Sequence, residues 1–187
     1  IDACRQESKE RVKDQRNSPN ADRPDFSTGL DRHPARTAAP TPACGPFIAC
    51  SIGPTTKQTA ISTRVDDPAH RDVTFHEMAD SYYQQVAATI EAGVDILLPE
   101  TAIDTLNLKA CLYAICSYFD DHNVRVPVMV SGTFSQGGAT FVSGQSIEAF
   151  WNAIAHAPLF SVGMNCALGP KMMRPHLEEL ARIAPIW

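Results

Sequence analysis

A thiol at the end of a short apolar run is the first residue that could do chemistry. Residues Ser161-Val-Gly-Met-Asn-Cys-Ala-Leu-Gly-Pro170 lead to Asn165-Cys166, and Gly169-Pro170 then breaks the run before a new helix. That pattern delivers Cys166 to a strand-to-helix turn. A thiol there can be a metal ligand, a nucleophile or inert packing. As a zinc ligand Cys166 is one donor where at least three from the protein are needed. His156 and His176 lie ten residues to either side, on helices expected to face them outward. As a nucleophile it needs an adjacent base, and no histidine falls at a strand end.

A carboxylate is the second candidate. Glu100 follows Leu97-Leu98-Pro99, so it sits where a buried strand opens. It could bind a substrate ammonium, or it could cap or ion-pair with the next helix. Asp104 and Thr101 are good N-cap types for that helix. The third strand candidate ends in Ser131-Gly132-Thr133, and Gly137, Gly138 and Gly144 mark a mobile loop beyond it.

These residues need elements to hold them. Four apolar runs read as strands: Phe47–Ile52, Asp95–Pro99, Pro127–Ser131 and Leu159–Met164. Each is nearly continuous, as expected of parallel strands covered on both faces. Helical sequence follows each run, over Thr74–Ala92, Thr105–Phe119, Ser146–His156 and Pro170–Ile183. The first carries Phe75, Met78, Tyr82, Val86 and Ile90 near a 3.6-residue period, with Gly93 as its stop. The second carries Leu106, Ala110, Tyr113, Ala114 and Ser117. Tyr82-Tyr83 and Phe150-Trp151 read as packing aromatics.

Alternating β and α implies a parallel sheet with right-handed crossovers. No Gly-x-Gly-x-x-Gly follows a strand, which argues against a dinucleotide fold. An open doubly wound sheet and a β/α barrel piece both fit, and the barrel is favoured. The expected fold is therefore α/β: a parallel, TIM-type β/α barrel, incomplete, with about four of eight βα units.

The chain has 187 residues, enough for one domain, and a formal net charge of −5. That charge disfavours nucleic acid as a partner. No apolar run approaches the ~18 residues that span a membrane. Residues 1–46 hold eight of the sixteen basic residues and few large aliphatics, and they read as a polar, disordered or loosely attached segment. Residues 47–187 read as the folded unit. The start at Ile1 suggests a fragment. Six scattered cysteines without a framework rhythm suggest a reducing, cytoplasmic setting with most thiols used in packing.

Six strings, in order, carry a resemblance: Ser51–Thr55, Val94–Thr101, Asp104–Ala110, Val128–Thr133, Ser143–Gln145 and Gly163–Pro170. Together they resemble the homocysteine-binding domain of cobalamin-dependent methionine synthase, over about residues 47–184. The resemblance implies transfer of a methyl group from methylcobalamin, recharged from 5-methyltetrahydrofolate, to homocysteine, giving methionine. It implies a zinc held by three cysteines, of which Cys166 matches the first. The other two form an adjacent Cys-Cys pair that this sequence lacks. Glu100 matches the glutamate that binds the homocysteine amino group, and Asn165 and Ser131 match pocket-lining positions. No residue is assigned as catalytic. Folate- and cobalamin-binding domains are the implied partners, and the segment is expected to be inactive alone. The alternatives are betaine or S-methylmethionine as methyl donor, or a non-catalytic, self-associating half-barrel.

Overall fold

The computed structural model describes residues 47–187. The expectations for residues 1–46 lie outside the described residues. Four βα units follow one another: β1 (Ala49–Ile52), α1 (Phe75–Glu91), β2 (Ile96–Pro99), α2 (Thr105–His122), β3 (Met129–Gly132), α3 (Ile147–Ile154), β4 (Ser161–Met164) and α4 (Pro170–Ile183). β1 pairs in parallel with β2, with Ala49 opposite Ile96, and β3 pairs in parallel with β4, with Met129 opposite Ser161. Two isolated parallel bridges, Leu97 to Val128 and Ala102 to Gly132, link β2 to β3. The strands therefore stand in sequence order, and every C-terminal end points the same way. That is the α/β architecture with parallel strands, which gathers strand ends at one rim.

Local chemistry explains the boundaries. Thr74 caps α1 in a reciprocal box: its hydroxyl accepts from the Glu77 N–H at 3.3 Å, and the Glu77 carboxylate accepts from the Thr74 N–H at 2.8 Å. Gly93, at φ +84°, ends the helix in the left-handed conformation a glycine takes at little cost. Asp104 caps α2, with Oδ1 accepting from the Leu106 and Asn107 N–H groups. Pro170 opens α4 in the first turn, where its missing N–H costs nothing. Phe47 is 72% exposed, so β1 begins two residues later than the apolar run suggests.

The core lies between the strands and the inner helix faces. α1 buries Met78, Ala79, Tyr82 and Val86, along the stripe its periodicity predicts. α2 departs from expectation. Of Leu106, Ala110, Tyr113, Ala114 and Ser117, only the two alanines are buried. Leu108, Cys111, Leu112, Ile115, Tyr118 and Phe119 carry its packing. α2 packs against neighbours on more than one side, so no single stripe marks its buried surface. Phe134 and Phe150 meet edge to face at 5.2 Å beside Gly132, and Trp151 and Tyr82 are also buried, as packing aromatics should be.

The glycine-rich loop after β3 is more tied down than its composition suggests. Antiparallel bridges join Phe134 to Thr140 and Ala139 to Ser146. The Val142 N–H donates to Ile103 O at 2.9 Å. Gly138, at φ +75°, lies beneath the His176 ring, where a Cβ would stand 2.9 Å from Cε1. No helix among the described residues is long and apolar enough to cross a membrane.

Candidate active site at the strand ends

Glu100 leaves β2 with its N–H donating to Ile52 O at 3.0 Å. Its carboxylate accepts from the Ser51 hydroxyl at the end of β1. Asp104 takes the capping role. The Glu100 carboxylate is half-buried at the rim, and none of the ion pairs among the described residues includes it.

The next residue, Thr101, has φ +56°, a left-handed conformation costly for a β-branched side chain. Asn165 holds it there from the end of β4. The Thr101 N–H donates to Asn165 Oδ1 at 3.2 Å, and Asn165 Nδ2 donates to Thr101 Oγ1 at 2.7 Å. A backbone N–H can only donate, so the amide atom facing it must be the oxygen, which fixes the orientation of the Asn165 side chain. The Ser131 hydroxyl on β3 also donates to Oδ1, at 2.8 Å. The Thr133 hydroxyl lies 3.3 Å from Asn165 Oδ1 and 3.4 Å from Cys166 Sγ. The amide oxygen is thus taken up within the protein, and toward a ligand the side chain can only donate.

Cys166 and Ala167 continue the chain at φ +44° and +53°. Left-handed non-glycine residues cost roughly 1–3 kcal/mol each and persist only where surroundings enforce them. The turn leaves the Cys166 thiol exposed. Cys111, by contrast, is buried in α2, and burial pushes its thiol well above the ordinary range. Cys50 on β1 is also raised, chiefly by burial.

All four residues singled out in the sequence therefore come to one rim. Ser131, Asn165 and Cys166 form one connected cluster. Glu100 joins it through its neighbour Thr101, with β3 standing between the strands that carry Glu100 and Cys166. The sequence offers Thr101 as a helix-cap type and Thr133 as a strand-end residue; the structure gives the cap to Asp104 and ties both threonines to Asn165. Their one signal was position, each a short polar residue at a strand end.

Beside the rim, Gln58, Tyr82, Glu100, Asp104, Asn107 and Cys111 help line a cavity of about 20 Å³. That is room for roughly one water and far too little for an amino acid. Zinc requires at least three protein donors. Among the described residues no group of three His, Cys, Asp or Glu could hold a metal. Cys166 is one sulfur donor, and the described residues by themselves do not fit the ion.

Comparison with known proteins adds two findings. The family model for homocysteine S-methyltransferase matches residues 15–187. The apo structure of the homocysteine methyltransferase MmuM from Escherichia coli has a similar fold, with a TM-score of 0.57 at 18% identity. The likeness covers 75% of this chain and 46% of that one, so this chain spans about half of that protein's length.

Proposed function

This chain belongs to the homocysteine S-methyltransferase family, and from that premise we propose that its rim is the homocysteine-binding part of a methyltransferase. The observation that carries the reading is an adjacency. Glu100 and Cys166 each stand one residue from the Thr101–Asn165 pair, which is closed by two hydrogen bonds. A carboxylate suits the ammonium of an amino acid. Asn165, restricted to donating, suits its carboxylate, and Ser131 lines the same surface.

The reaction this site would serve forms a sulfur–methyl bond. The homocysteine thiol gives up its proton, its sulfur bonds to the methyl carbon, and the bond to the donor breaks with its electron pair leaving on the donor. An alkyl thiol has a pKa of about 8.5 and is mostly protonated at neutral pH, so deprotonation is part of the task. The four described βα units are half of the eight in a closed barrel. We read them as part of such a barrel, in which Cys166 would be one of the zinc ligands. The segment from Thr59 to Phe75 resembles its counterpart in the cobalamin-dependent branch, and on that resemblance we read the donor as methylcobalamin, recharged from 5-methyltetrahydrofolate on other domains.

Calorimetric titration of the chain with homocysteine tests the reading. Binding that weakens at least tenfold in Glu100→Gln, with unchanged melting temperature, supports it. Equal binding by wild type and variant would overturn the role of Glu100. Assays of the assembled enzyme with methylcobalamin, betaine and S-methylmethionine identify the donor.

A further inference from the structure

We propose that Asn165 is a positioning residue that locks the C-terminal ends of β2, β3 and β4 into one rigid rim, and so sets Glu100 and Cys166 relative to each other. It rests on the homocysteine reading only for what the rim binds.

From the end of β4, the side chain of Asn165 reaches the ends of two other strands at once. Its oxygen takes the Thr101 N–H beyond β2 and the Ser131 hydroxyl on β3, with the Thr133 hydroxyl within reach. Its nitrogen returns a bond to Thr101. Its own N–H donates to Gly132 O at 3.1 Å, which anchors it to β3 by the main chain as well. The sheet needs such a tie at this level. β2 and β3 share no continuous ladder, only the two bridges at Leu97–Val128 and Ala102–Gly132. The second of these is the one at the rim. It depends on Ala102 N–H to Ser131 O at 3.1 Å and Thr133 N–H to Ala102 O at 3.0 Å.

The strained backbone gives the same answer. Thr101 and Cys166, next to Glu100 and Asn165 respectively, both have positive φ. A conformation of that kind is kept only by contacts that over-determine it, and for Thr101 two of those contacts are the hydrogen bonds to Asn165. Loss of Asn165 would free Thr101 to return to ordinary backbone geometry and carry the Glu100 carboxylate with it.

The test is amide hydrogen exchange of the full chain, residue by residue, in wild type and Asn165→Ala. Ala102 and Thr133 donate to main-chain carbonyls, not to the Asn165 side chain. Their exchange should nevertheless speed up at least tenfold. Leu97 N–H, which bonds Pro127 O at the other end of the same strand pair, should stay unchanged. Asn165→Asp keeps the acceptor and loses the donor, and should fall between. Homocysteine affinity should drop at least tenfold in Asn165→Ala. If Ala102 and Thr133 exchange at wild-type rates, or if Leu97 accelerates equally, the inference is overturned. Should Asn165→Ala not fold, Ser131→Ala removes one donor to the same oxygen and carries the same comparison at about threefold. A wild-type chain that ignores homocysteine but shows the expected exchange pattern leaves the positioning role standing and removes the substrate reading.

Discussion

Two asparagines divide the polar work of this molecule. Asn107, on the first turn of α2, is 3% exposed and uses its whole amide. Its oxygen accepts from the Thr59 N–H and hydroxyl at 2.9 and 2.6 Å, and its nitrogen donates to Thr55 Oγ1 and Lys57 O at 3.1 and 2.9 Å. Together with Asp104, whose Oδ2 takes the Ala60 N–H at 3.0 Å, it pins the loop after β1 to the start of a helix. Asn165 has a similar number of partners, yet it is half-buried, it bonds a residue in left-handed backbone, and an exposed thiol follows it. One network ends in satisfied groups and closes structure. The other leaves a carboxylate and a sulfur at the surface. Dense hydrogen bonding alone therefore does not mark a site; what it leaves at the surface does.

The sharpest way to break that contrast is to remove each asparagine in turn. Asn107→Ala strands buried donors and acceptors, each worth roughly 1–3 kcal/mol. We expect about 3 kcal/mol of lost stability by denaturant unfolding, with tryptic cleavage after Lys57 accelerated. A loss as small as that of an exposed site would refute the assignment of Asn107 to structure. Asp104→Ala removes a helix cap and the anchor for Ala60, and should cost about 2 kcal/mol by the same measurement.

Glu100→Gln lies on the other side of the comparison. Hydrogen bonds to charged groups contribute about 1.5–3 kcal/mol, so homocysteine binding should weaken tenfold or more in calorimetry while the unfolding midpoint holds. A shifted midpoint with intact binding would place Glu100 with Asn107 instead. Smallest is Ser131→Ala, which removes one neutral hydrogen bond, worth about 1 kcal/mol. Its signature should be local, visible in exchange at Ala102 and Thr133 before it registers in global unfolding.

Much of this was legible in the amino-acid string. The four apolar runs became strands because a parallel strand covered on both faces has little room for polar residues. α1 could be read because only one of its faces is buried. α2 could not, because its burial on several sides erases the 3.6-residue stripe. The glycine loop after β3 reads as free from composition, while its hydrogen bonds to Ile103 and its contact with His176 are tertiary facts that no local window contains. Cys166 and Glu100 stood out because each follows a strand, and the resemblance added Asn165 and Ser131 as pocket-lining positions. Thr101 and Thr133 were visible as strand-end residues, but their roles lie in a backbone angle and a cross-strand distance that no local window contains. Homocysteine chemistry entered through the six ordered strings, and the family match over residues 15–187 agrees with it.

Gly132 sets the limit of tolerance at the rim. A methyl group on it would stand 2.8 Å from both the Phe134 and Phe150 rings, while its carbonyl holds the Asn165 main chain. The hydrocarbon floor and the polar rim thus meet at one atom-sized gap. Gly53, at the end of β1, is the contrasting position: a methyl group there would meet no other atom within 4 Å, so added volume at that point would meet water before it met packed rings.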